Sequence, residues 1–272
     1  MLGERPLVMG VLNVTPDSFA EPSPSSRLDP DAAVEAALRM EAAGADLVDV
    51  GGESTRPGAD PISADEEGRR VLPVIAALAG RLRVPMSVDT YKAEIAREAI
   101  DAGAAIVNDV SALRHDAALA RVVADRGAGL VLMHARGQSK SMYAEAVYDD
   151  VVADVAREIR DAIDCAAAAG VPAAAIIVDP GIGFAKRPTH SYGVLARLAE
   201  LAAALDRPVL VGPSRKSFMR AALDDRPATE RDWGTAAAVA AAVLNGAHIV
   251  RVHAVDEMVQ VVRVAEEIRR HG

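Results

Sequence analysis

Short β-branched apolar runs alternate along this chain with longer stretches in which apolar residues recur every three or four positions. Eight runs read as strands, over residues 7–14, 47–51, 86–89, 105–110, 130–134, 175–179, 209–211 and 249–253. The segments between them, residues 31–43, 64–79, 93–102, 117–126, 151–169, 191–205 and 235–245, read as amphipathic helices. A period of two marks a strand and one near 3.6 a helix, because those are the repeats at which side chains return to one face. Several helices stop at a glycine just before the next strand: Gly44, Gly103, Gly127, Gly170 and Gly246. Glycine enters the left-handed conformation that ends a helix without steric cost. Strand–helix alternation with short connections predicts a parallel sheet, and eight repeats of the unit favour closure. The expected fold is a single α/β domain over residues 1–272, a (β/α)8 TIM barrel with its active site at the strand carboxyl ends. A doubly wound open sheet is the rival. It would usually carry a G-x-G-x-x-G turn after its first strand. This chain reads Asn13-Val14-Thr15-Pro16-Asp17-Ser18-Phe19 there.

Five of the runs end in a polar or charged cluster. Ile176-Ile177-Val178 leads into Asp179-Pro180-Gly181-Ile182-Gly183-Phe184, and Met86-Ser87-Val88 ends at Asp89. Ile106-Val107 ends at Asn108-Asp109, Val209-Leu210-Val211 at Gly212-Pro213-Ser214-Arg215-Lys216, and Ile249-Val250 at Arg251-Val252-His253. Asp89, Asn108 and Asp179 lack cations in their own strands to pair with. Carboxylates and an amide in an aliphatic barrel suit a flat heterocycle with amino, ring N–H and carbonyl edges. Each alone could equally cap a helix or tie down a loop; three at corresponding strand ends argue for a binding site. Lys216, Arg251 and His253 form an opposite, cationic set near Ser217, where a helix is expected to begin, an arrangement suited to an anion. A basic surface loop is the alternative, opposed by Arg251 and His253 falling on one face of one strand. The segments from Asn13 to Phe19 and from Glu53 to Gly58 have the Gly, Pro and hydroxyl content of loops that close over a substrate.

Composition narrows the reading. Aromatic residues are only 3% against 51% hydrophobic overall, so the core is aliphatic. A net charge of −9 and a pI near 5.2 argue against general nucleic-acid affinity, which relies on lysine and arginine. Arg215-Lys216 with Arg251 and His253 could still make a local basic site. Cys165 is the only cysteine, in an Ala-rich helical stretch, and is expected in the core with no disulfide. No zinc-ligand spacing and no G-x-S-x-G elbow occurs. Nothing near Met1 reads as a signal peptide, and the longest apolar stretch, residues 236–244, falls short of the roughly 20 residues of a membrane span. The expectation is a soluble, cytoplasmic protein.

Taken in order, these motifs resemble those of the dihydropteroate synthases, pterin-binding barrel enzymes of folate biosynthesis. The resemblance rests on Asn13-Val14-Thr15-Pro16-Asp17-Ser18-Phe19, Gly51-Gly52-Glu53-Ser54-Thr55-Arg56-Pro57-Gly58, Val88-Asp89-Thr90, Asn108-Asp109-Val110, Met133-His134, Asp179-Pro180-Gly181-Ile182-Gly183-Phe184, Ser214-Arg215-Lys216 and Arg251-Val252-His253. It implies condensation of 6-hydroxymethyl-7,8-dihydropterin diphosphate with p-aminobenzoate to give 7,8-dihydropteroate and pyrophosphate. It further implies that Asp89, Asn108, Asp179 and Lys216 hold the pterin, with Met133 against its ring. Arg251 and His253 would take the diphosphate, and Asn13 would stand near its magnesium. Thr55, Arg56, Pro57, Phe184 and Ser217 would surround p-aminobenzoate, with Asp17 and Phe19 on a covering loop. The catalytic set would be Asp89, Lys216, Arg251 and His253. Mg2+, a homodimer, sulfonamide binding and a cytoplasmic location are implied in the same way. The chain departs from the pattern at Ala20-Glu21-Pro22-Ser23-Pro24, at Ala185 where a glycine is usual, at Ala254 where an acid is common, and at Gln138-Ser139-Lys140. Two other functions compete: a pterin-binding methyltransferase serving a corrinoid protein, which needs no diphosphate site, and a catalytically silent paralogue.

Overall fold

The strands are filled with valine, isoleucine and leucine on both faces, as a parallel sheet covered outside and plugged inside requires. A computed structural model describes residues 3–15, 30–54, 58–137 and 141–272. In it β1 (Leu7–Asn13), β2 (Leu47–Gly51), β3 (Met86–Asp89), β4 (Ile106–Asp109), β5 (Gly129–Met133), β6 (Ile176–Asp179), β7 (Leu210–Val211) and β8 (Ile249–Val252) are all parallel. Their order is β6-β5-β4-β3-β2-β1-β8-β7, and a bridge between Val178 and Val209 joins the two ends. The sheet is therefore a nearly closed barrel, and the open-sheet alternative is excluded.

Alternation along each strand sorts the side chains. Val8, Val48, Val88, Val107, Leu130, Val178 and Val250 point outward into the layer beneath the helices. Met9, Leu47, Val131, Ile177, Leu210 and Ile249, with Leu7 and Ile106 against them, make a separate apolar plug inside the barrel. That plug closes the barrel below the strand carboxyl ends and gives the polar groups above it a dry floor.

The outer helices are α1 (Pro30–Ala42), α2 (Ala64–Leu78), α3 (Ala93–Asp101), α4 (Ala118–Arg126), α5 (Val151–Ala168), α6 (Pro188–Ala196), α7 (Leu198–Leu205), α8 (Asp232–Leu244) and α9 (Val255–His271). All five glycines expected to end helices have positive φ, between 64° and 122°. Ser63 caps α2 by accepting the Glu66 N–H at 3.2 Å. Asp150 caps α5 by accepting from Val152 and Ala153.

Three expectations are corrected. Residues 191–205 are not one helix: the chain breaks at Arg197 (φ −109°, ψ 26°), giving α6 and α7, and α6 begins earlier, with Pro188 in its first turn. The segment from Ser217 to Leu223 is a 3-10 helix, not the start of an α-helix. Cys165 is exposed. Helix α5 buries Val152, Val155, Ala156, Ile159, Ala162, Ile163 and Ala166, and position 165 falls outside that stripe. Helix α9, absent from the sequence reading, buries Val255, Met258, Val259, Val262 and Ala265 at helical spacing. Among the described residues, no helix is long and apolar enough to cross a membrane.

Candidate active site

A polar layer lies one pleat above the apolar plug. Two residues beyond Leu47 stands Asp49, beyond Ile106 Asn108, beyond Val131 Met133, beyond Ile177 Asp179, and beyond Ile249 Arg251. Because alternate strand residues share a face, each inherits the inward direction of the plug residue before it. Register sets them side by side: Asn13 pairs with Gly51, Gly51 with Asp89, Asp89 with Asn108, and Met133 with Asp179. Asn108 and Asp179 are buried, while Asp89 and Arg251 are partly open to the barrel mouth.

The layer is knit by Arg251. Its Nε donates to Asp49 Oδ2 at 2.6 Å and its Nη2 to Asp89 Oδ2 at 2.8 Å. Asn108 Nδ2 donates to the same Asp49 oxygen at 3.0 Å, and Ser87 Oγ donates to the other. The sequence view of carboxylates without cations therefore holds only within each strand; Asp89 is paired across the barrel by an arginine 162 residues away. Cations and carboxylates interleave in one cluster instead of forming two opposed sets. Arg215 is not part of it: its guanidinium turns to Asp232 at the start of α8. Asp109, next to Asn108, faces outward and ties down the following loop through Ser111 and Leu113.

Burial dominates the electrostatics. It pushes the Asp89 carboxyl up to about 7, with Arg251 pulling it down and Asp49 adding to the rise. Burial also raises Asp179, against Lys216 and the Gly181 N–H, which reaches Asp179 Oδ1 at 2.7 Å. Lys216 is lowered to about 8 by burial, with Asp179 opposing. Its Nζ donates to the Ile182 carbonyl at 2.8 Å and lies 4.5 Å from the centre of the Phe184 ring. His253 Nδ1 is 2.9 Å from Ser214 Oγ, and that oxygen also accepts the His253 backbone N–H at 3.2 Å.

The loop after β6 is held along its length. Gly181 has φ +67°, and a Cβ there would fall 1.9 Å from the His134 carbonyl oxygen. Lys186, only 1% exposed, donates to the Phe184 carbonyl at 3.2 Å and shares a 2.8 Å hydrogen bond with His134 Nδ1. Tyr148 donates to the Ala185 carbonyl at 3.0 Å, and Ala185 takes φ +49°, a conformation that suits glycine. His134 Nε2 meets Glu158 at 3.0 Å. Burial, and after it Lys186, pushes His134 down to about 4. Phe184 is thereby presented at the mouth beside Lys216. Ser217 is exposed, 3.3 Å from the Tyr143 hydroxyl. At the β2 end, Glu53 accepts from Tyr91 and Lys92, and Lys92 also pairs with the buried Glu67.

The structure thus brings together Asp89, Asn108, Met133, Asp179, Lys216 and Arg251, with Phe184, Asn13 and His253 at strand ends around them. Asp17, Phe19, Thr55, Arg56 and Pro57 lie outside the described residues. Asp49, Ser87 and Lys186 were missed. A lone aspartate between Val48 and Val50 was the available signal for the first.

A barrel whose mouth carries this layer falls in a defined class. The family model described as pterin binding enzyme matches residues 9–253, and the chain belongs to that family. Within it, the chain sits among the dihydropteroate synthases. It is 45% identical over 262 residues to the dihydropteroate synthase of Escherichia coli, covering 96% of this chain and 91% of that protein. A structure of the Yersinia pestis dihydropteroate synthase in a sulfonamide drug complex superposes with TM-score 0.91 at 42% identity, covering 98% of this chain and 95% of that one. The Xanthomonas albilineans dihydropteroate synthase with 4-aminobenzoic acid gives TM-score 0.90 at 41% identity, covering 98% and 94%.

Proposed function

We propose that the polar layer is the pterin pocket of a dihydropteroate synthase reaction, with the diphosphate and p-aminobenzoate bound at the strand ends above it. The observation that carries the reading is the ring of Asp89, Asn108, Asp179 and Lys216 around a dry floor, matched to the N–H and carbonyl edges of a pterin. Asp179 accepts N–H groups of the heterocycle, Asn108 and Asp89 read its remaining edge, and Met133 packs on its face. Lys216 uses one N–H on Ile182 and keeps others for the ring. In the reaction the methylene C–O bond breaks and its electron pair leaves with pyrophosphate. The p-aminobenzoate nitrogen then forms the new C–N bond and gives up a proton. Positive charge gathers on the pterin methylene, where Asp89 and Asp179 favour it, and negative charge on the departing diphosphate, where Arg251 and His253 favour it. The arylamine lies against Phe184 and Ser217, with Thr55, Arg56, Pro57, Asp17 and Phe19 assigned to the covering loops by the family pattern. Sulfonamides would compete there.

Among the described residues, no group of three or more His, Cys, Asp or Glu side chains could hold a metal ion by itself. The Asn13 amide, an oxygen donor at the carboxyl end of β1, would hold a magnesium ion that accompanies the diphosphate. When bound, it would offset charge on the leaving group. A homodimer is supported by the apolar stripe of α8, where Trp233 is 89% and Leu244 43% exposed with Ala237, Ala240 and Ala241 between them. A cytoplasmic location is part of the same proposal.

Calorimetry on Asp179→Asn tests the pocket. The amide turns one acceptor into a donor facing a donor, a buried mismatch worth about 1–3 kcal/mol, or about 5- to 150-fold in affinity. Wild-type pterin affinity in this variant would remove the assignment.

A further inference from the structure

Asp49 lies within the polar layer, fully buried at 0% exposure, and no substrate contact falls to it. Its carboxylate collects donors from three other strands. Ser87 Oγ of β3 reaches Oδ1, while Asn108 Nδ2 of β4 at 3.0 Å and Arg251 Nε of β8 at 2.6 Å converge on Oδ2. A side-chain amide has no inherent sense, since its oxygen and NH2 are nearly the same size and can exchange places by a half turn. A carboxylate has one, because it only accepts. Facing Asp49, Asn108 must therefore present its NH2, and its Oδ1 is turned away. One N–H is spent on Asp49, so the order of the oxygen and the second N–H along the pocket wall is set. The oxygen that makes this choice also holds Arg251, whose other arm reaches Asp89 at 2.8 Å.

We propose that Asp49 is a positioning residue for the pterin: it fixes the sense of the Asn108 amide and, through the shared Oδ2, couples that choice to the aim of Arg251. The inference rests on the pterin reading of the pocket. A bland alternative, in which Asp49 only neutralises Arg251 and supports the barrel, predicts different behaviour toward ligands. Under it, loss of Asp49 lowers stability and weakens every ligand alike.

The test measures pterin and lumazine affinities by calorimetry on the full chain. Lumazine carries a carbonyl where pterin has its amino group and a ring N–H where pterin has its N1 acceptor, so it also inverts the order on the edge left to Asn108, and the ratio of the two reports the donor–acceptor order of that wall. Asp49→Asn offers Asn108 a donor as well as an acceptor, and the amide loses its fixed sense. The preference for pterin should fall about tenfold or more, the size expected for one buried polar match. In an Asn108→Ala background the same Asp49 substitution should leave the ratio unchanged. A ratio unchanged by Asp49→Asn, with both affinities lowered equally, overturns the inference alone. A wild-type protein with no preference for pterin removes the pocket reading and this inference with it. Should Asp49→Asn fail to fold, the native protein still decides. It has three asparagines, so comparison with Asn108→Ala identifies the Asn108 side-chain amide in 15N-labelled protein. One of its two hydrogens should exchange with solvent about 100-fold or more slower than the other, as a buried donor does; equal, fast exchange of both overturns the inference.

Discussion

Replacing Gly181 with alanine should damage both the fold and the pterin pocket, and the structure supplies the magnitude. The new Cβ would sit 1.9 Å from the His134 carbonyl oxygen, where contacts under 3.0 Å essentially never occur. One of the two segments must therefore move by about 1.1 Å. Neither is free to move. The His134 N–H donates to the Asp179 carbonyl at 2.8 Å, and the Gly181 N–H donates to Asp179 Oδ1 at 2.7 Å. The left-handed backbone costs an L-residue about 1–2 kcal/mol, and losing a hydrogen bond to a buried carboxylate costs about 1–3 kcal/mol more. The expected loss is about 2–5 kcal/mol, a large share of the 5–15 kcal/mol that holds a typical domain. Gly246→Ala is the control, because that glycine has φ +95° and nothing within 4 Å of a Cβ. It should lose only the conformational part. Urea unfolding midpoints of the two variants, with pterin calorimetry beside them, separate collision from conformation. Equal stability losses, or unchanged pterin affinity in Gly181→Ala, would refute the claim that Gly181 is needed for close approach under Asp179.

Two further predictions concern charge. His253→Ala should cut turnover of the diphosphate substrate about 10- to 100-fold, the loss of one charge-assisted contact, while sparing affinity for bare pterin. Arg251→Ala should weaken both, because it leaves Asp49 and Asp89 without their shared guanidinium; steady-state kinetics and calorimetry check this, and equal loss of bare pterin in the two variants would move His253 into the pterin pocket. Asp89, raised from 3.8 to about 7 chiefly by burial, binds its proton more tightly folded than unfolded. Its stabilising contribution is full below pH 3.8 and is lost as pH rises to about 7. The stability of Asp89→Asn relative to wild type should therefore rise with pH across that window, and a pH-independent gap between the two would contradict the shift.

Most of the barrel was legible because its strands are short apolar runs punctuated by polar residues and helix-ending glycines, signals local in sequence. What was not legible depended on partners distant in the chain. Asp49 draws its donors from 38, 59 and 202 residues away, and no local pattern announces that convergence. The same topology makes Arg251 a member of the carboxylate layer, whereas strand position alone placed it with His253 in an anion site. The break at Arg197 was hidden because Leu195, Leu198, Leu201 and Leu205 keep a helical beat across it, all buried. Pro188, a residue that suits a helical first turn, was a signal for the true start of α6. Cys165 was misplaced because alanine-rich helices blur the difference between their two faces. Lys186 looks like a surface lysine until the fold seals it beneath the Phe184 loop.

The most direct test of the account is chemical. Incubating the full chain with 6-hydroxymethyl-7,8-dihydropterin diphosphate, p-aminobenzoate and magnesium, then quantifying pyrophosphate and dihydropteroate, should give both products in equal amounts. Omitting p-aminobenzoate should abolish dihydropteroate. Failure to form dihydropteroate from the complete mixture by folded protein that binds pterin, or release of pyrophosphate with no C–N bond formed, would contradict the assignment of this barrel as a dihydropteroate synthase.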